Sequence, residues 1–279
     1  MSAQADATAS RAGWIGFLSD YGLSDHFVGV CHGVIAQTAP AVRVIDICHD
    51  VAPGDLVRGA ALLAQAAPYL PAGVLLAVVD PGVGTRRRAL VVRTTGGSFL
   101  VGPDNGLLLP AARALGGIDC AYEITKPELM RHPVSATFHG RDVFAPVAAR
   151  LACGLDPARV GAKLAAEDLV HMIEPVARLT VHRLEGEVLT VDRFGNVQTS
   201  LPARLLKDGG LSECGTLRLN CRTGEIQVPF KGTYGDVPDG TVVGYIDSSG
   251  LFSVALNGRS ASLEYDLRPG DPVALRLGV

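Results

Sequence analysis

The chain has 279 residues, 48% of them hydrophobic, with 33 glycines and 17 prolines, enough for one large or two ordinary domains of a loop-rich α/β or β protein. A formal net charge of −3 supplies no basic field for nucleic acid and no polybasic patch for a membrane surface, which leaves small-molecule chemistry as the default. Six scattered cysteines, Cys31, Cys48, Cys120, Cys153, Cys214 and Cys221, form no C-x-x-C pair and point to reduced thiols of a cytoplasmic protein, with neither a zinc site nor disulfides.

In chain order, Met1 to Ala12 is small and polar, lacks a basic n-region and an apolar h-region, and reads as a disordered tail. Trp14 to Leu18 is a short apolar run ending in Ser19-Asp20-Tyr21-Gly22, strand then turn, and Asp25-His26-Phe27 opens a helical spacing through Val30, Val34 and Ile35. Val42 to Ile47 reads as another strand, followed by Cys48-His49-Asp50, and Asp55 is placed to cap a helix over Val57 to Ala67. The most apolar window, Ala60 to Val79, is interrupted by Gln65, Pro68 and Pro71, so it reads as helix, turn and strand rather than as a membrane span. Strands at Trp14, Val42 and Val74 that end in acid and alternate with helical patterns predict a mostly parallel sheet flanked by helices, with functional groups at one edge.

The run Val74 to Val79 stops at Asp80, and Pro81, Gly82 and Gly84 force a loop carrying Arg86, Arg87 and Arg88 before the β-branched run Leu90 to Arg93. A carboxylate facing guanidinium groups across a glycine loop can hold a water or an anion; equally, Asp80 can cap a turn whose arginines are solvated. Phe99 to Val101 leads into the turn Gly102 to Gly106, where Asn105-Gly106 is backbone chemistry first, and helix spacing follows from Leu107 to Leu115. In Thr137-Phe138-His139-Gly140-Arg141-Asp142, ahead of the helical run Ala145 to Ala152, Asp142 can complement a helix N-terminus. His139 is either a satisfied structural group or a proton carrier near neutrality. A charged connector from Leu155 to Pro175 marks a boundary between an α/β domain over 13–175 and a second domain over 176–279. The second domain consists of short alternating runs separated by Gly, Asn, Asp and Pro turns, an all-β barrel or sandwich. Its Asp192-Arg193-Phe194-Gly195-Asn196 stretch offers a carboxylate, an aromatic face and an amide for a nucleoside or amino acid, or is a hairpin turn. Tyr234 and Ser248-Ser249-Gly250 are similar loop clusters.

Together, Ser19-Asp20-Tyr21-Gly22, Asp80-Pro81-Gly82-Val83-Gly84-Thr85, Val101-Gly102-Pro103-Asp104-Asn105-Gly106, Thr137-Phe138-His139-Gly140-Arg141-Asp142, Asp192-Arg193-Phe194-Gly195-Asn196 and Ser248-Ser249-Gly250 resemble the S-adenosyl-L-methionine (SAM) hydroxide adenosyltransferase family. That family is related to the fluorinases and chlorinases, and the resemblance runs in order from about Trp14 to the C-terminus. It implies an α/β N-terminal domain with a mostly parallel sheet, an all-β C-terminal barrel contributing to the SAM site, and a homotrimer with active sites at subunit interfaces. The implied reaction is attack of water or hydroxide at the ribose C5′ of SAM, giving adenosine and L-methionine, with no metal and no cofactor because SAM is the substrate. By motif position an Asp–Arg–His triad falls on Asp80, Arg87 and His139. The ribose diol falls on Asp20, the methionine ammonium near Asp25 and Asp192, the adenine edge on Asn196, the aromatic walls on Phe194 and Tyr234, and contacts to the methionine moiety on Ser248 and Ser249.

The chemistry suits these residues. A sulfonium leaves as a neutral thioether and needs no general acid, so what must be supplied is an aligned, desolvated oxygen nucleophile. A halogenase reading keeps the fold, yet the fluorinases have an aromatic residue where this chain has Asp80, whose charge repels a halide; the connection from Leu109 to Ala121 is also short for their inserted loop. A metal-dependent phosphoesterase built from Asp20, Asp25, His26, Asp46, His49 and Asp50 lacks H-x-x-x-H or comparable spacing. A non-catalytic SAM-binding protein would not need all three triad residues.

Overall fold

The structure, a computed structural model, describes residues 13–181, 183–213 and 215–277. The tail expected over Met1 to Ala12, and Cys214 among the thiols, lie outside the described residues. The chain divides into two compact units between Met172 and Ile173.

The first unit carries strands β1 (Trp14–Ser19), β2 (Arg43–Cys48), β3 (Val74–Val78), β4 (Ala89–Thr94), β5 (Phe99–Pro103), β6 (Ile118–Glu123) and β7 (Lys163–Leu164), with helices α1 (Phe27–Thr38), α2 (Leu56–Ala66), α3 (Leu109–Ala114) and α4 (Ala145–Ala152). Its sheet runs β2-β1-β3-β5-β4-β6-β7. The pairs β1–β2, β1–β3 and β3–β5 are parallel, and β4–β5, β4–β6 and β6–β7 are antiparallel. The unbroken apolar run of β3 is explained by burial on both faces. Val74, Leu76 and Val78 pack with α1 and α4, whereas Leu75, Ala77 and Val79 pack with α2 and α3, as the two-residue period of a strand requires. Each fully buried Leu or Val contributes about 1.5–3 kcal/mol relative to exposure, so this strand anchors both cores. Asp55 caps α2 as expected, accepting from the Arg58 amide.

Two strands of this unit escaped the periodicity. β6 mixes Asp119, Cys120 and Glu123 with its apolar residues, and β7 lies inside the stretch read as a connector, where Leu164 pairs with Ala121 and Lys163 with Tyr122. The first part of that stretch therefore finishes the sheet.

The second unit holds β8 (Arg178–Leu179), β9 (Leu184–Val191), β10 (Val197–Pro202), β11 (Thr216–Cys221), β12 (Gly224–Pro229), β13 (Val242–Ile246), β14 (Leu251–Leu256) and β15 (Pro272–Leu277), with short helices α5 (Ala203–Asp208) and α6 (Ala261–Tyr265). The antiparallel path β12-β11-β15-β9-β10-β14-β13 is brought back on itself by a bridge between Phe230 and Gly244, giving a nearly closed barrel rather than a sandwich. Alternate residues fill it: Leu184 and Val188, Val197 and Leu201, Leu217 and Leu219, Phe252 and Val254, Val273 and Leu275 are all buried in one cluster. β10, α5 and α6 were not foreseen, their sequences being short and polar between turns.

Candidate active site

The parallel half of the first sheet delivers three acids to its carboxyl edge: Asp20 just after β1, Asp80 two residues after β3 and Asp104 just after β5, where open α/β sheets place their chemistry. Of the three arginines in the Asp80 loop, Arg87 reaches Asp80. Its Nε donates to both carboxylate oxygens at 2.9 and 3.1 Å, and its Nη2 makes a further short contact to Oδ2. Arg88 instead donates its Nε to the buried Asp104 at 2.7 Å, and Arg86 is exposed. The side chains of Arg87 and Asp80 are only 10% and 6% exposed, so their pairing is poorly screened. Gly84 shapes the loop: its φ is +77°, and a Cβ there would collide with the carbonyl of Ala136.

Arg87 also binds the third group. Its Nη2 donates to Nδ1 of His139 at 2.9 Å, and its guanidinium lies 5.0 Å from the centre of the Phe144 ring. A guanidinium only donates, so Nδ1 must be a lone-pair acceptor and the neutral ring carries its proton on Nε2. Burial and the Arg87 charge hold the His139 pKa below its ordinary value, with Asp80 and Asp142 opposing. Asp80, Arg87 and His139 are thus one hydrogen-bonded group.

His139 precedes a π-helical turn, Gly140–Phe144, that leads into α4; such turns are frequent where a functional side chain must be aimed. Gly140 is required because a Cβ there would strike the hydroxyl of Tyr21. Asp142 stands in the first turn of this helical segment, where the sequence placed it, and it has further partners. It is fully buried, accepts from the Ser135 amide at 2.9 Å, and pairs with Arg141. Burial acts to raise its pKa, and the Arg141 and Ser135 hydrogen bonds outweigh that and keep it low.

Asp20 is half-buried and accepts from the Gly54 amide at 2.9 Å. Burial pushes its pKa above the ordinary value, the Gly54 hydrogen bond opposing and the Asp80 charge adding to it. Asn105 plays the backbone role expected of it, donating to the Val79 carbonyl at 2.9 Å and accepting from the Leu107 amide. Asp25 lies exposed just before α1. Beside Asp20, the rings of Tyr21, Phe27 and Phe138 meet edge-on or tilted, with centroids 5.4–6.0 Å apart. Tyr21 and Phe138 fall within the sequence motifs, where neither carries an expected role. Their one visible signal was an aromatic beside each acid or histidine. Burial first, then Cys31, Asp20 and Asp80, push the Tyr21 phenol pKa up, so Tyr21 stays a neutral donor.

In the second unit, Phe194, Asn196 and Tyr234 line a cavity of about 400 Å³ together with Asn257, Arg259 and Ser260. The last three were missed because they come from the segment after β14, far along the chain. Phe194 is 78% exposed and Tyr234 54% exposed, presenting ring faces rather than filling the core. Asp192 holds the turn: its Oδ1 accepts from the amides of Phe194 and Asn196 at 2.8 and 2.9 Å, and its Oδ2 from the Asn196 side chain at 2.8 Å. The hairpin-turn reading therefore describes its contacts. Ser248 and Ser249 are exposed on the β13–β14 turn, which Asp247 organises by accepting from the Ser249 and Leu251 amides. They are not among the residues lining the cavity.

Among the described residues no helix is long and apolar enough to cross a membrane. The sequence profile of the SAM hydroxide adenosyltransferase N-terminal domain matches residues 15–161, and that of the C-terminal domain residues 186–274. An (R)-S-adenosyl-L-methionine hydrolase from Salinispora arenicola is 49% identical to this chain over 95% of it and 98% of its own length. A fluorinase from Nocardia brasiliensis is 28% identical over 97% of this chain and 99% of its own. The crystal structure of an uncharacterized conserved protein from Thermotoga maritima superposes with a TM-score of 0.87 at 37% identity, covering 94% of this chain and 99% of that one.

Proposed function

The chain belongs to the SAM hydroxide adenosyltransferase family and hydrolyses SAM to adenosine, and on that premise we propose that Asp80, Arg87 and His139 are the residues that bring water onto the ribose C5′. In this reading the water oxygen forms the C5′–O bond as the C5′–S bond breaks, and the bonding pair stays on sulfur, which leaves as the thioether of L-methionine. The water proton passes to Asp80, whose carboxylate retains acceptor capacity beyond the hydrogen bonds it takes from Arg87. The Nε2–H of His139 orients the oxygen, and the Arg87 charge favours its hydroxide character. No cofactor is required, because the sulfonium is its own leaving group.

The observation that carries this assignment is the bridge by Arg87 between Asp80, seven positions back in the same loop, and His139, 52 positions further along the chain. Substrate binding is assigned to Asp20 for the ribose diol, and to Asn196, Phe194 and Tyr234, which share one cavity, for adenine. Asp25, Asp192, Ser248 and Ser249 are assigned to the methionine end. Asp192 must then release part of its own turn to reach a ligand. The family resemblance supports a homotrimer with active sites at subunit interfaces, and the free thiols of Cys31, Cys48, Cys120, Cys153 and Cys221 support a cytoplasmic location.

The test is to incubate the purified protein with each sulfonium epimer of SAM in ¹⁸O-labelled water, with and without chloride and a chelator, and to identify products by mass spectrometry. Label on the adenosine C5′ oxygen, from the (R) epimer that the relatives' names specify and unaffected by chelation, is the expected result. A 5′-chloro product would make the chain a halogenase, and binding without turnover would make it a sensor.

A further inference from the structure

Among the described residues the reaction leaves one cluster of ligand-type side chains unused. His32 on α1, Asp46 on β2 and His49 just beyond β2 each present a donor atom, all three within 4.8 Å of one another. Both imidazoles converge on a single oxygen: Nε2 of His32 lies 2.8 Å and Nε2 of His49 3.0 Å from Asp46 Oδ1. In a tetrahedral site with metal–ligand bonds of about 2.0–2.1 Å, neighbouring donors sit about 3.3 Å apart. Asp46 Oδ1 is thus within about half an ångström of that spacing from each imidazole, and the two imidazole nitrogens lie no more than 4.8 Å apart.

The two histidines differ in a way that suits a metal site. The His49 side chain is 2% exposed and clamped: its Nδ1 lies 2.7 Å from the buried Ser19 hydroxyl, and its ring meets Phe17 edge-on at 4.7 Å. Binding through Nε2 needs the lone pair there and the proton on Nδ1, where the Ser19 hydroxyl can rotate to accept it. This is the outer-shell partner that ligating imidazoles ordinarily have. His32 and Asp46 are partly exposed, 35% and 47%, which leaves a route from solvent and room for water in the fourth position.

We propose that His32, Asp46 and His49 form a binding site for a divalent transition ion of the zinc class. Two imidazoles and one carboxylate suit zinc, cobalt or nickel rather than calcium or magnesium, which prefer all-oxygen shells. The set is not the one the phosphoesterase reading assembled, since His32 replaces Asp20, Asp25, His26 and Asp50. Nor does it depend on the cysteines, which pointed away from zinc. The site stands apart from hydrolysis, and its role is to fasten α1 to β2 behind the Asp20 turn, to which His49 is tied through Ser19 and through its carbonyl, which accepts from the Gly22 amide at 2.8 Å.

The experiment titrates the tag-free full chain with ZnCl2 by calorimetry and with CoCl2 by visible absorption, in wild type and in the His32→Ala, Asp46→Asn and His171→Ala variants. Circular dichroism verifies that each variant is folded. The expected result is one ion per chain in wild type and in His171→Ala, with affinity about tenfold or more weaker in His32→Ala and Asp46→Asn, and cobalt bands of a low-symmetry nitrogen–oxygen site that those two variants lose. Wild type binding no ion, or binding it no more tightly than His32→Ala, would overturn the proposal.

Discussion

Replacing Arg87 with lysine separates charge from geometry in the triad. The guanidinium spans two partners at once, with Nε and Nη2 on Asp80 and Nη2 also 2.9 Å from His139 Nδ1. A lysine ammonium retains the positive charge and one contact to Asp80, and its point geometry cannot bridge to the imidazole as the planar fork does. A hydrogen bond to a charged group contributes about 1.5–3 kcal/mol, and the pair is only 10% and 6% exposed, so solvent recovers little of it. If the His139 contact acts by holding the ring for catalysis, its loss falls on the transition state and lowers kcat by about 10- to 150-fold at 1.36 kcal/mol per decade. The KM should move little, because SAM binding is assigned elsewhere. Single-turnover conversion of saturating SAM to adenosine, followed by chromatography with thermal unfolding as a control, measures this directly. A folded Arg87→Lys enzyme with wild-type kcat would refute the idea that the bridge, rather than a positive charge alone, is what catalysis needs.

The acid limb of kcat/KM is expected below the ordinary histidine value of about 6.5, because burial and Arg87 lower the His139 pKa. The same shift means that the folded state binds fewer protons, so the stability contributed by His139 is present above 6.5 and is lost as pH falls through the lowered value; urea melts from pH 7 downward would show the opposite slope if the ring were protonated in the fold. Asp20→Ala should raise the Kd for SAM while Asp80→Ala loses turnover and still binds, and the reverse pattern in calorimetry and rate assays would exchange the assignments. Phe194→Ala should weaken adenosine binding by about 1–3 kcal/mol if its exposed ring stacks on the base, and unchanged affinity would remove that wall. Gly140→Ala should cost about 1–3 kcal/mol of stability through overpacking against Tyr21, visible as a lowered Tm; an unchanged Tm would mean the turn can shift away.

Local pattern carried much of this molecule. The continuous apolar run of β3 announced a strand buried on both faces, Asp55 announced the start of α2, and acids at strand ends announced the edge where groups gather, since each depends on residues near in sequence. The long motifs carried the family. Other features rest on strand order and packing, which local periodicity does not encode. Motif position singled out Arg87 among three adjacent arginines, but the contacts behind that choice are tertiary: the antiparallel departure of β4 turns Arg88 to Asp104 and leaves Arg87 to Asp80. The tautomer of His139 follows from a guanidinium 52 positions away in the chain. β7 became a strand only because β6 offered it an edge. Likewise His32 of α1 meets Asp46 of β2 and His49 across the connection between the two elements. In each case the deciding contact joins segments separated by a turn or a crossover, and only the folded chain brings their atoms within hydrogen-bonding range.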